Sequence, residues 1–204
     1  MVGPNRGVVN EEFPDWSFEH VRNDGDHFSL ASGIALPYDP VIGSFGNAPT
    51  GAPTYLMNPV CGTSDIPAAK TGAKLHVPIE MPGALFSLGD IHACQGDGEV
   101  VGAPEISARV TVRFSLQPGR IAQWFMIGDQ THWHSTRSAE NTDEATRQAV
   151  LQNARFIART HDIKLRDALV LLTLTGKWGD CGPHVCSSFC KEQVKSALAG
   201  YRRG

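Results

Sequence analysis

PGALFSLGDIHACQGDGEV, residues Pro82 to Val100, is the stretch from which the rest of the chain is read. It opens apolar and closes polar. Phe86, Leu88, Asp90 and His92 share parity, so in an extended strand they point to one face. Gln95, Asp97 and Glu99 follow at once, separated by Gly96 and Gly98. Glycine lets the backbone turn sharply and lets a ligand come close. So many ionisable groups after an apolar strand repel one another unless a cation sits among them. Each residue alone fits a polar hairpin tip; the cluster as a whole reads as a site.

Downstream, Ile106, Ala108, Val110, Val112, Phe114 and Leu116 alternate with Ser107, Arg109, Thr111 and Arg113. That period-two pattern predicts a long strand with one wet face, followed by a Gln117-Pro118-Gly119 turn and a return strand over 121–127. His132 and His134 form an HxH pair on one strand face, a spacing metals use but with no third ligand evident. Asn141 caps a helix whose first turn carries Asp143 and Glu144. Its apolar stripe is Val150, Leu151, Ala154, Ile157 and Ala158. A second helix is expected over about 164–174, stopping before Gly176. The tail holds Cys181, His184, Cys186 and Cys190, which match no common zinc spacing and read as a divergent end with free thiols. A short terminal helix fits Val194, Ala197 and Leu198.

Upstream, Lys74 to Ile79 alternates as a strand, with His76 facing away from the apolar set. Residues 43–65 form a long Gly/Pro/Asn/Thr-rich connector, a kind of segment that usually serves a site or is flexible. Asp65 ends it, and the plain alternative for Asp65 is an Asx turn. Asp24-Gly25 signals a turn, and the apolar Phe28, Leu30, Ile34 and Leu36 after it fit two short strands. Before it lie the aromatic anchors Phe13, Trp16 and Phe18 in an irregular entry segment.

The 204 residues suffice for one large domain with a real core. A formal charge of −3 with no basic block argues against nucleic acid or a membrane surface as partner. No apolar run approaches a membrane span and no signal peptide opens the sequence, so a cytoplasmic protein is expected. The odd count of 5 cysteines fits free thiols in a reducing compartment.

The run from Gly89 to Glu99 closely resembles the acetamidase/formamidase family signature GDxHxxQGDGE. Its fixed positions are filled by Gly89, Asp90, His92, Gln95, Gly96, Asp97, Gly98 and Glu99. PVIGSFGNAP, Pro40 to Pro49, resembles the family's PxxGxxGxAP segment. Gly62 and Asp65 resemble its GxxD, and the pattern from Thr142 to Gly176 its late helical region. The resemblance covers most of residues 11–176. It departs at Val60 to Thr63, VCGT, where the family has an HGGN-like approach to the aspartate. Glu105 corresponds weakly to a family glutamate, one residue out of register.

The resemblance implies a mainly β fold: a sandwich or jelly-roll-like sheet core with two late α-helices. A single domain is expected over 1–204, with a β-rich core about 24–127, a helical segment about 142–176 and a divergent tail 177–204. The resemblance also implies metal-assisted hydrolysis of very small amides, formamide or acetamide, to ammonia and a carboxylate. In that picture Asp65, His92 and Asp97 are the candidate ligands of a divalent metal, zinc by preference. Glu99 is the candidate general base, Asp90 orients His92 or ligates directly, and Gln95 holds substrate or a water. Cys94 is the alternative, as a nucleophile beside His92. Family members are normally longer, so an N-terminal β-rich part is expected to be absent. Strand edges left open would favour a homo-oligomer. The competing function is a truncated, catalytically weak homologue that binds a metal, a small ligand or another protein.

Overall fold

The computed structural model describes residues 12, 19–54, 57–119, 122–181 and 184–201. The expected anchors Phe13, Trp16 and Phe18 lie outside them. Among the described residues the fold is mainly β: eleven strands in three sheets, with three α-helices.

A small antiparallel sheet comes first, β1 (Arg22–Asn23), β2 (His27–Ser29) and β3 (Ala35–Pro37). Its Asp24-Gly25 turn forms as expected, with Gly25 at φ 89° and the Asp24 amide donating to the His27 carbonyl. β4 (Val41–Gly46) is the centre of a second sheet, flanked by β5 (Cys61–Thr63) and β7 (Ser87–His92). The third sheet runs in the order β10 (Gly176–Cys181), β11 (His184–Cys190), β9 (His132–Arg137), β8 (Met126–Gly128), β6 (Lys74–His76). Consecutive strand residues face opposite sides, and β8 shows the consequence. Met126 joins a core with Ala154, Phe156, Ile157, Leu171, Leu172 and Phe189. Ile127 joins the other core with Phe45, Ile66 and Phe125. The five-stranded sheet is thus packed by helices on one face and by the β4 sheet on the other. Phe45 meets Phe125 edge-on at 5.3 Å between centroids across that second interface.

The helices match their sequence signals. α1 (Thr142–His161) starts where the Asn141 side chain accepts from the Glu144 amide, and ends at Asp162 with φ 51°. Ala145, Ala149, Gln152, Asn153, Phe156 and Ile157 form its buried face. α2 is Leu165–Thr175, and α3 (Lys191–Ala197) is the short terminal helix.

Two expectations fail. The segment 106–116 is in no sheet, and Val112, Phe114 and Leu116 are exposed. It is tied to β7 by the Ile106 amide on the Ile91 carbonyl and by Phe114 against the Phe86 ring. Period two states which side chains share a face; it does not supply a strand to complete the ladder. The tail, in turn, is no loose end. Residues 176–190 form a hairpin whose second strand pairs along the whole of β9 from His132 to Arg137. Cys186 is disulfide-bonded, while Cys61, Cys94 and Cys190 are free, so the expectation of free thiols throughout is corrected. No described helix is long and apolar enough to cross a membrane.

Candidate functional site

The apolar pattern of β4 buries Val41, Gly43 and Phe45 and lays this strand alongside β7, with Val41 opposite His92 and Ser44 opposite Gly89. The connector after β5 folds back onto β4: the Ser64 and Asp65 amides both donate to the Gly43 carbonyl, at 2.7 and 3.2 Å. Asp65 therefore reaches the end of β7 although 27 residues of sequence separate it from His92. Past β7 the loop turns where the Glu99 amide donates to the Gly96 carbonyl at 3.3 Å. That turn brings the Glu99 carboxylate back toward the strand and leaves Asp97 exposed.

The outcome is a group of three: one donor atom each from Asp65, His92 and Glu99, all within 4.8 Å of one another. Asp65 and His92 are buried and Glu99 is partly so. Of the sequence-expected ligands, Asp65 and His92 are in the group and Asp97 is outside it. Glu99, expected as the general base, stands where a third ligand would.

Gln95 organises the cluster. Its Nε2 donates to the Asp65 carbonyl at 2.5 Å and lies 3.4 Å from a Glu99 oxygen. Two acceptors beside the nitrogen decide which way the amide points. Its Oε1 then faces His92 Nδ1 at 2.6 Å, which fixes the proton on Nδ1. In the neutral ring the lone pair is on Nε2, and Nε2 faces an Asp90 oxygen at 3.3 Å. Two lone pairs cannot face each other unprotected. The arrangement requires positive charge there, either a second proton or a cation.

The electrostatics agree. Burial pushes the His92 imidazole down, but the hydrogen bonds to Asp90 and Gln95 and the carboxylate charges outweigh it and raise it to about 9. Burial, then the charges of Glu99 and Asp90, pushes the Asp65 carboxyl up to about 7. Burial raises Glu99 as well. The hydrogen bond to His92 holds Asp90 below the usual carboxylate range, with help from the Ser44 hydroxyl at 3.0 Å. Asp65 Oδ1 is buried with no hydrogen-bond partner, and such an atom costs about 1–3 kcal/mol. A divalent cation among Asp65, His92 and Glu99 would satisfy that oxygen, take up the Nε2 lone pair and keep both carboxylates ionised. The residues present fit such an ion.

The backbone is strained at the same place. Asp65, Asp90 and Glu99 have φ of 44°, 60° and 34°, a region costing side-chain-bearing residues about 1–3 kcal/mol each. Gly43 explains the tight fit. A Cβ there would meet Asp65 Oδ1 and Asp90 Oδ2 at 2.7 Å each. Gly43 and Ser44 are site residues that the chemistry-bearing motif does not flag. Their signal is the glycine spacing of the 40–49 segment.

Other candidates are placed elsewhere. Burial and the charge of Asp39 push the Cys94 thiol up, away from the thiolate a nucleophile needs. His134 is held by Asp129 at 2.8 Å and His132 by the Thr131 hydroxyl at 2.8 Å, so each imidazole has its own partner. His76, which the sequence pattern turns away from the apolar set, packs against Trp133 and Phe156 and is partly buried. Glu105 bridges His92 through the backbone and lines a cleft of about 500 Å³ with His20 and Tyr38. That cleft is not lined by Asp65, His92 or Glu99.

Comparison with known proteins converges on one family. Residues 44–132 match the Acetamidase/Formamidase family. A curated formamidase relative from Schizosaccharomyces pombe is 36% identical over 67 residues; the aligned stretch is 32% of this chain and 16% of that protein. The crystal structure of an acetamidase from Bacillus halodurans superposes with a TM-score of 0.76 at 26% identity, over 96% of this chain and 70% of that one. A protein from Thermoanaerobacter tengcongensis described as a predicted acetamidase/formamidase shares the fold, with a TM-score of 0.78 at 23% identity over 98% and 70% of the two chains.

Proposed function

Since the chain is a relative of the acetamidase/formamidase family through residues 44–132 and its fold, we propose that it hydrolyses a small aliphatic amide, formamide or acetamide, to ammonia and the carboxylate. The observation that carries this reading is the convergence of Asp65, His92 and Glu99 around an orphaned buried carboxylate oxygen. These three would hold a divalent metal, with zinc favoured by the nitrogen and carboxylate donors. When bound, such an ion polarises an amide carbonyl and makes water acidic.

The remaining duties fall to named side chains. Gln95 holds the imidazole with its Nδ1 proton and tethers the Asp65 main chain. Asp90 stays ionised at the partly open side of the cluster, 3.3 Å from His92 Nε2, and holds the imidazole's orientation. Ser44 fixes the orientation of Asp90. Asp97, exposed, has no part in this arrangement. The substrate is a neutral amide of few atoms, and a self-assembled oligomer in the cytoplasm remains part of the reading.

Metal content and ammonia release from formamide and acetamide test it together. The expected result is near-stoichiometric metal with turnover, both lost in Glu99→Gln. Stoichiometric metal without turnover of either amide would favour the binding-protein alternative. Turnover that survives chelation but disappears in Cys94→Ala would replace the mechanism with a thiol one.

A further inference from the structure

A second cluster lies on the helix-covered face of the five-stranded sheet. Arg137, the last residue of β9, is buried, with 6% of its surface exposed. Its guanidinium carbon lies 3.9 Å from the centroid of the Trp124 ring. One nitrogen, Nη2, donates to Gln152 Oε1 at 3.2 Å, and Gln152 Nε2 donates in turn to the Trp124 carbonyl at 2.9 Å. Among the described residues no carboxylate pairs with Arg137. Its Nε is buried without an acceptor, and so is Trp124 Nε1. Burial and then the charge of Arg155 pull the Arg137 guanidinium down to about 9, a large displacement for an arginine.

Burying a charge without an acid partner costs several kcal/mol; the Trp124 ring and Gln152 offset part of it, while the neighbouring Arg155 charge adds to it. Arg137, Arg147 and Arg155 line one cleft of about 350 Å³ together with Trp124 and the two glutamines Gln123 and Gln148. Arg147 is paired with Glu144 on the helix surface. Among the described residues Arg155 donates to the neutral Gln123 side chain, at 3.2 Å, and to no carboxylate. Among the described residues the cleft therefore holds two arginines without acid partners, one of them stacked on an indole, and two buried N–H groups lacking acceptors. A stacked guanidinium is a preorganised fork for a planar carboxylate or a phosphate.

We propose that this cleft is a binding site for a small oxyanion, a carboxylate or phosphate group, held between Arg137 at its floor and Arg155 at its rim. The volume, about 350 Å³, is at the small end for ligand sites and leaves room beside the anionic group for part of the small molecule that carries it. The site shares no residue with the Asp65, His92 and Glu99 group and does not depend on the amidase reading.

Calorimetric titration of the whole chain with sodium phosphate, and separately with sodium acetate, tests this in a low-salt zwitterionic buffer. The expected result is saturable binding of at least one of them, one per chain, with a dissociation constant below about 10 mM. Arg155→Gln should weaken it at least about tenfold, the loss of one charge-assisted contact. Arg137→Lys, which keeps the charge and loses the fork, should weaken it similarly, while Asp65→Asn should leave it unchanged. Phosphate alone binding assigns a phosphorylated ligand, and acetate alone a carboxylic acid; both support the site. No saturable heat from either anion, or undiminished binding in folded Arg155→Gln, overturns it. If Arg137→Lys does not fold, Arg155→Gln, whose side chain lies at the rim, decides.

Discussion

Adding one methyl group at Gly43 is the sharpest test of how the site is built. β4 passes so close to the carboxylates that an alanine Cβ would lie 2.7 Å from Asp65 Oδ1, 2.7 Å from Asp90 Oδ2 and 2.9 Å from the Asp90 carbonyl. Ordinary contact begins near 3.5 Å, so the two carboxylate oxygens must give by roughly 0.8 Å and the Asp90 carbonyl by roughly 0.6 Å. The two side chains can move; the Asp90 main chain, held in β7 between Gly89 and Ile91, which pair with Ser44 and Ile42, resists. Overpacking of this kind costs about 1–3 kcal/mol, which in a chain of this size lowers Tm by roughly 2–4 °C per kcal/mol. A misplacement approaching 1 Å costs about 100-fold in turnover. Gly43→Ala should therefore be modestly less stable by thermal denaturation and about 100-fold weaker in amide hydrolysis, with reduced metal retention on dialysis. Gly89→Ala is the control: it is on β7 within the same motif, and its Cβ would meet nothing within 4 Å. A Gly43→Ala protein as active and metal-replete as its Gly89→Ala counterpart would refute the close approach of β4 to Asp65 and Asp90.

Gln95→Leu keeps the volume but removes both the acceptor on His92 Nδ1 and the tether to the Asp65 carbonyl; metal affinity should fall about 10–100-fold in a chelator competition, and unchanged affinity would remove Gln95 from the site. Asn153 is fully buried on α1 and donates to the Ser187 carbonyl and hydroxyl of β11 at 2.7 and 3.0 Å. Asn153→Leu should cost about 1–3 kcal/mol in urea unfolding, because it strands a buried acceptor at the helix–sheet interface. His76 sits between Trp133 and Phe156, and burial followed by the charge of Lys74 lowers its pKa. Below the unfolded value of about 6.5 the unfolded chain binds a proton that the folded chain refuses. This contribution is fully present above that pH and is lost as pH falls toward the folded value. The raised Asp65 and Glu99 carboxyls act in the opposite sense over the same window, so the test is the difference: going from pH 7 to pH 5.5, the urea midpoint of His76→Phe should shift toward stability relative to that of the parent, and an identical pH response would contradict the assignment.

Much of this was legible because some patterns are local. Asn141 followed by Asp143 and Glu144, then Val150, Ala154 and Ile157 at helical spacing, states where α1 begins and which face it buries. The GDxHxxQGDGE run supplies His92 and Glu99 of the cluster, and the connector ending at Asp65 supplies the third. What failed was not local. The alternation from Ile106 to Leu116 is as regular as any strand in the chain, yet pairing depends on a second segment that periodicity does not name. The tail hairpin went unread because Gly176 to Cys190 has weak alternation; its register comes from β9, which it meets only in the folded chain. Glu99 and Asp97 have the same chemistry in the same motif. Only the turn from Gly96 to Glu99 decides which carboxylate turns inward. Arg137 drew no notice because a lone arginine at a strand end signals nothing until Trp124 and Arg155 are placed around it.

The account's central claim is a cation among Asp65, His92 and Glu99. Anomalous diffraction from crystals of the protein grown with zinc, collected on both sides of the zinc edge, tests it most directly. The account predicts one strong peak touching Asp65 Oδ1, His92 Nε2 and a Glu99 oxygen, with Gln95 still on Nδ1. A peak on Asp97 with Glu99 turned away, or the three side chains apart with no peak among them, would contradict it.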